Sequence, residues 1–254
     1  GGIAIGKYAA GSAVHANSNI YIGECAGYNV YDSGGQVIIG YRAAYSQCDW
    51  GAGMVVLGRC ASYCHNSGQF NVTIGNDANK KATGGSYNVF FGHAVACCIQ
   101  GSSNVAIGAC AGGAAGSSVS SSVFIGKYSG NSTTGDHSVF LGVGAGKNNT
   151  SGEGNIAIGY QAGNDITTGA NNVLIGKLAG DLLTTGTNNV VVGSGFDAVL
   201  FAFSNNCLLN IANDAFRQFT HISGGFDCPG RRDNATFSGF FYGFCPCFGS
   251  RLGG

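Results

Sequence analysis

Runs of three apolar residues closed by a glycine recur along this chain at nearly constant spacing, separated by segments rich in Asn, Ser, Thr and Gly. Twelve such glycines, from Gly6, Gly23 and Gly40 through Gly159, Gly176 and Gly193, are separated by 16, 17 or 18 residues. A period this short means one small supersecondary unit stacked on copies of itself. The residues one before the glycine (Ile5, Ile22, Ile39 through Ile158, Ile175, Val192) and three before it (Ile3, Ile20, Val37 through Ile156, Val173, Val190) are almost all β-branched. Positions two apart on a strand share a face, and a buried pleated surface favours such side chains. These two columns are read as the inward face of a strand.

The column between them (Ala4, Tyr21, Ile38, Val56, Thr73, Phe90, Ala106, Phe124, Phe140, Ala157, Leu174, Val191) is apolar too, apart from Thr73. A strand apolar on both faces needs cover on both. One face fills the interior of a coil, and the other needs a further layer from the same rung or from a second chain. The columns alone leave open which face is inside.

Three residues after the glycine, ten of the twelve rungs carry Ala or Ser, so a close approach is expected there. The glycine itself is expected in a turn that residues with side chains resist. Four before it, Asn19, Asn71, Asn88, Asn104, Asn155, Asn172 and Asn189 form a column able to hydrogen-bond along the axis as a ladder. A rung of this size has room for one firm strand and one more short one. The predicted fold is all-β: a parallel β-solenoid, or β-roll, of about twelve 17-residue rungs. At ~4.8 Å per rung the eleven steps make a rod of roughly 53 Å.

The repeat unit Asn155-Ile156-Ala157-Ile158-Gly159-Tyr160-Gln161-Ala162-Gly163, followed by Thr167-Thr168-Gly169, resembles the repeat of viral and phage tail fibres. It is also similar to the head repeat of trimeric autotransporter adhesins and to repeats in surface proteins of large algal viruses. The resemblance implies a homotrimer of parallel β-rolls, a rigid stalk or head at an extracellular or virion surface that touches a host. Sister chains would then cover the second apolar face. The sequence departs from that pattern in its cysteines and in rungs three to six, where Gln36 and Met54 replace Asn and Val95 replaces the small residue.

Past Gly193 the spacing fails, with 205–211 readable as one decayed rung. Composition shifts as well: eleven of the sixteen Phe and both prolines lie between Phe196 and Phe248. The division expected is a shaft over 1–197 and an aromatic-rich cap, tip or junction over 198–254. A stack needs its open strand edge covered. A receptor-binding tip, for a glycan or a protein of a host surface, would use Phe240, Phe241 and Tyr242. The opening Gly1 and the strand at Ile3-Ala4-Ile5 read as a rung of something longer.

Charge narrows the partners. Twelve basic and twelve acidic residues give a formal net charge of zero, which offers no field for nucleic acid or an anionic membrane. No stretch approaches the ~18 apolar residues of a membrane span. The eleven cysteines fit no zinc pattern with two CxxC arms. Most are read as small buried hydrophobes, with some disulfides, placed in the C-terminal segment, as the alternative. The pairs Gly6-Lys7, Gly126-Lys127, Gly146-Lys147 and Gly176-Lys177 lack the Ser or Thr that a phosphate loop needs next. Five scattered histidines and too few acidic residues for calcium-binding repeats complete the reading: no catalytic, cofactor or metal site, and not an enzyme. Sequons begin at Asn71, Asn131, Asn148, Asn149 and Asn234. The leading expectation is a structural fibre or stalk of a virus or phage with adhesion at its tip. The alternative is a subunit of an extracellular filament whose rolls stack end to end.

Overall fold

The computed structural model describes residues 1–12, 18–30, 34–46, 52–64, 67–81, 83–113, 118–194 and, as backbone, 208–212. They belong to one compact unit, Gly1–Ala212. It is a parallel β-solenoid with one strand per rung. The strands run in chain order from β1 (Ile3–Ile5) and β2 (Ile20–Ile22), through β6 (Val89–Phe91), β9 (Val139–Leu141), β10 (Ile156–Ile158) and β11 (Val173–Ile175), to β12 (Asn189–Gly193) and β13 (Leu208–Ala212). All thirteen form a single sheet whose spatial order is the sequence order. Pairing is parallel and in register, so Ala157 lies beside Phe140 on one side and Leu174 on the other. β13 falls on the segment read as a decayed rung and carries the stack past residue 197.

The second short strand for which a rung has room does not form among the described residues. In its place each rung bends through residues with positive φ. In rung eight, for example, Tyr128 (φ 59) stands two after the glycine and Gly130 (φ 57) four after it. These bends keep the stack hydrogen-bonded outside the strands. The amide of Tyr128 donates to Ala109 O in the preceding rung, and that of Gly130 to Ala145 O in the following one. From rung two to rung ten the described rungs thus grip both neighbours where no strand exists, which answers the requirement that buried backbone groups be paired.

The period-marking glycines are fixed twice over. Their φ values, such as 138° at Gly142, belong to a region open to glycine alone. A Cβ on Gly142 would also lie 2.2 Å from Gly159 O of the next rung. The small column behaves as expected: Ala26, Ala43, Ala111, Ala145 and Ala162 are fully buried.

The orientation of the strand is the reverse of that read from its β-branched columns. The interior is filled by the central column, with Ile38, Val56, Phe90, Phe124, Phe140, Ala157 and Leu174 all at 0% exposure. The columns assigned inward, Ile158 and Ile156 among them, face out, and no member of either is buried. The reason lies in the turns. The tight bend after each glycine folds the chain back over the central side chain, so that a Cβ on Gly130 would lie 2.3 Å from the Phe124 ring, and one on Gly146 2.5 Å from Phe140. Side chains seven residues after the glycine also point inward. Ala157 shares its rung with buried Ile166, and Phe140 with buried Asn149. Phe90 shares its rung with buried Ile99, so the side-chain volume enclosed differs from rung to rung while each stays closed to solvent.

The Asn ladder exists, chiefly as side chain to backbone. The residue before each of these positions has positive φ (Tyr87 φ 60, Asn171 φ 56), which turns the previous rung's carbonyl away from the strand start. The side-chain oxygen below takes its place. Asn88 N donates to Asn71 Oδ1 (2.9 Å), Asn172 N to Asn155 Oδ1 (2.9 Å) and Asn189 N to Asn172 Oδ1 (3.0 Å). Ser122 and Ser138 continue it with their hydroxyls. A second ladder two positions earlier runs the other way: Ser86 N donates to Ser102 Oγ, Ser102 N to Ser120 Oγ and Ser120 N to Asp136 Oδ1.

Candidate functional site

Because the central column fills the roll, the outer face of the sheet carries the unsatisfied surface. Two parallel rows of Ile, Val, Leu and Phe run along it through twelve consecutive rungs with no charged member. Its most open residues are Ile3, Ile5, Phe91 (52%), Leu141 (41%) and Ile175 (37%), with Val89 beside Phe91 on β6. At ~4.8 Å per rung the stripe is roughly 53 Å long, and a width of about 10 Å gives it on the order of 500 Å². The largest apolar patch of an ordinary monomer is of that size and is often functional.

The rim is polar. On one side stand exposed Lys7, Glu24, Arg59, Lys127 and Lys177, on the other Ser18, His137, Asn171 and Asn188. Tyr and Phe are enriched at protein interfaces and charged residues depleted at their centre. Aromatic residues widen the stripe in its middle. Phe70 and Tyr87, both exposed, stack at 5.4 Å in rungs five and six. A second aromatic row begins at Tyr28, whose ring stacks on Tyr45 at 5.2 Å, and Tyr45 on Tyr63 at 5.1 Å. Tyr at the same position in three successive rungs was the sequence signal for this row, which the apolar columns overshadowed.

The other residues singled out from sequence are dispersed. Phe240, Phe241 and Tyr242 lie outside the described residues, as do His15, His65, His221 and Asn234. Lys7, Lys127 and Lys147 are exposed, and the first two lie over the rings of Tyr8 and Tyr128 at 5.1 Å. Asn71 and Asn149 are fully buried. Asn71 Nδ2 donates to Gly85 O and Asn149 Nδ2 to Gly152 O, so folding uses the groups a glycan would need. Among the described residues no three His, Cys, Asp or Glu stand together as a metal site, and no helix is long and apolar enough to cross a membrane.

Few charges are perturbed. The Lys80 ammonium is held above its ordinary range by its hydrogen bond to Asp77, 2.9 Å away. Burial raises the Asp181 carboxyl, and the neighbouring Asp165 adds to it. Cys97 is pushed up to about 12, first by burial and then by its hydrogen bond with Cys98. None of these groups lies on the apolar stripe.

No protein-family model matches the chain, and neither does any curated protein or solved structure.

Proposed function

We propose that the chain is the shaft of a structural fibre of a virus or phage, assembled as a homotrimer through the outer face of its sheet and carrying host attachment at its tip. The observation that supports this reading is the uncharged stripe crossing twelve rungs of a hydrogen-bonded roll. A stable interface needs about 800 Å² from each partner. In a trimer each chain meets two sisters, and exposed Tyr41, Phe70, Tyr87 and Tyr160 extend the stripe toward both flanks. The rungs have an axial repeat, so sister chains laid alongside meet the same surface at every level. The attachment role rests on the aromatic segment around Phe240, Phe241 and Tyr242, and alanine at these three, tried on a glycan array, is its test.

Light scattering on the full chain tests the assembly. A discrete trimer is expected, and Leu141→Asp with Ile175→Asp is expected to yield monomers that keep the wild-type far-UV circular dichroism. A monomeric wild-type chain would overturn the reading. An open-ended polymer, seen as long fibrils in negative stain, would favour a self-assembling extracellular filament instead.

A further inference from the structure

In rung after rung, the amide seven residues past the glycine donates to the carbonyl four past it, closing a tight turn. Rung nine does so from Asn149 N to Gly146 O (3.2 Å), and rung ten from Ile166 N to Gly163 O (3.3 Å). The two central residues of these turns are Lys147-Asn148 and Asn164-Asp165, hydrophilic and partly open. In rung six the same turn closes from Ile99 N to Ala96 O (3.2 Å), and its central residues are Cys97 and Cys98. The repeat asks for no sulfur there. Their Sγ atoms stand 3.1 Å apart, in direct contact.

The turn is pinned on three sides. Ala96 N donates to Ala111 O in rung seven, Lys81 N of rung five donates to Cys97 O, and Ile99 is buried in the core. The Cys97 thiol also donates to Gly113 O at 3.5 Å. Cys97 remains partly open to solvent.

We propose that Cys97 and Cys98 form a modification site, a vicinal dithiol that closes reversibly to a disulfide on meeting a small-molecule disulfide. One thiolate attacks a sulfur of the reagent RSSR, forming a mixed disulfide and expelling RS⁻. The neighbouring sulfur then attacks the protein sulfur of that mixed disulfide and expels the second RS⁻. Two S–H bonds and one S–S bond break, the intramolecular S–S bond and two R–SH form, and two electrons pass from the protein to the reagent. Neighbouring Cα atoms are ~3.8 Å apart across a trans peptide, shorter than the ~4.4 Å at which ordinary disulfides begin. The closed ring is therefore strained and easily reduced, as regulatory disulfides are. Burial of Cys97 makes its thiolate scarce at neutral pH, so closure accelerates as pH rises. Closure also removes the S–H donor that Cys97 offers to Gly113, so the redox state acts on the contact between rungs six and seven.

The test exposes the reduced full chain to excess oxidised glutathione, traps remaining thiols by alkylation and maps peptides by mass. The peptide holding 97–98 is expected to lose both alkylation sites, to be lighter by two hydrogens, and to recover both sites after dithiothreitol. Cys97→Ser and Cys98→Ser are each expected to keep one glutathione on the remaining sulfur. Cys110→Ser, in the next rung, leaves the pair intact and is expected to close as the wild type does. Persistent alkylation of both residues, glutathione retained on both, or a link from Cys97 to Cys110 would each overturn the proposal.

Discussion

Phe140→Ala paired with Leu141→Ala tests which face of the strand is inside, because the two residues are adjacent on β9 and point to opposite sides. The Phe140 ring has no exposure, lies 5.7 Å from the Phe124 ring, and is covered by the backbone of Gly146. Its other neighbour in register is Ala157, which has no atoms with which to fill a vacancy. Fully buried Phe→Ala changes cost about 3–5 kcal/mol, and more where the surroundings collapse poorly, so the upper half of that range is expected. Leu141 keeps 41% of its surface in a single chain, so its truncation there should cost less than about 1 kcal/mol. Denaturant unfolding followed by far-UV circular dichroism, on chains kept dilute enough to be monomeric, reads both. Equal losses for the two variants, or a loss below about 1 kcal/mol for Phe140→Ala, would refute the assignment of the interior.

Three further outcomes follow from the same geometry. Thr73→Val should stabilise the fold by about 1 kcal/mol in thermal or denaturant unfolding, because the buried Oγ1 has no hydrogen-bond partner among the described residues. Asn155→Ala should cost about 2–4 kcal/mol and speed hydrogen exchange at the Asn172 amide, since Asn155 Oδ1 accepts from Asn172 N and Nδ2 and its own Nδ2 donates to Gly169 O. Stability should fall as pH rises from about 9 to about 12: the unfolded chain ionises Cys97 at its ordinary pKa while the fold holds the thiol protonated, and Cys97→Ser should flatten that slope in urea midpoints measured against pH.

Much of the architecture could be read from residues whose roles are set locally. A glycine at φ 138° whose added Cβ would meet a backbone oxygen at 2.2 Å admits no substitute, so its recurrence exposed the period. The small column and the Asn column were legible for the same reason, each answering one close approach or one orphaned amide repeated in every rung. The candidate interface was only half legible. Its residues stood out, but as core, because β-branched residues in register are the signature of a buried face. A subtler signal did exist. The outer columns are nearly uniform, whereas the central column ranges from Ala157 to Phe140. The contact of Cys97 with Cys98 could not be seen without knowing that a tight turn centres on both.

The sequence by itself determined that this chain is a stack of short rungs, where each rung turns, and that it bears apolar surface on two faces. Only the tertiary structure decided which face is enclosed. Alternation along a strand separates inside from outside when one face is polar, and here neither is. The direction in which the bends at positions such as Tyr128 and Gly130 carry the chain back over the sheet chose the side. That choice left Leu141 and Ile175 outside, available to a partner.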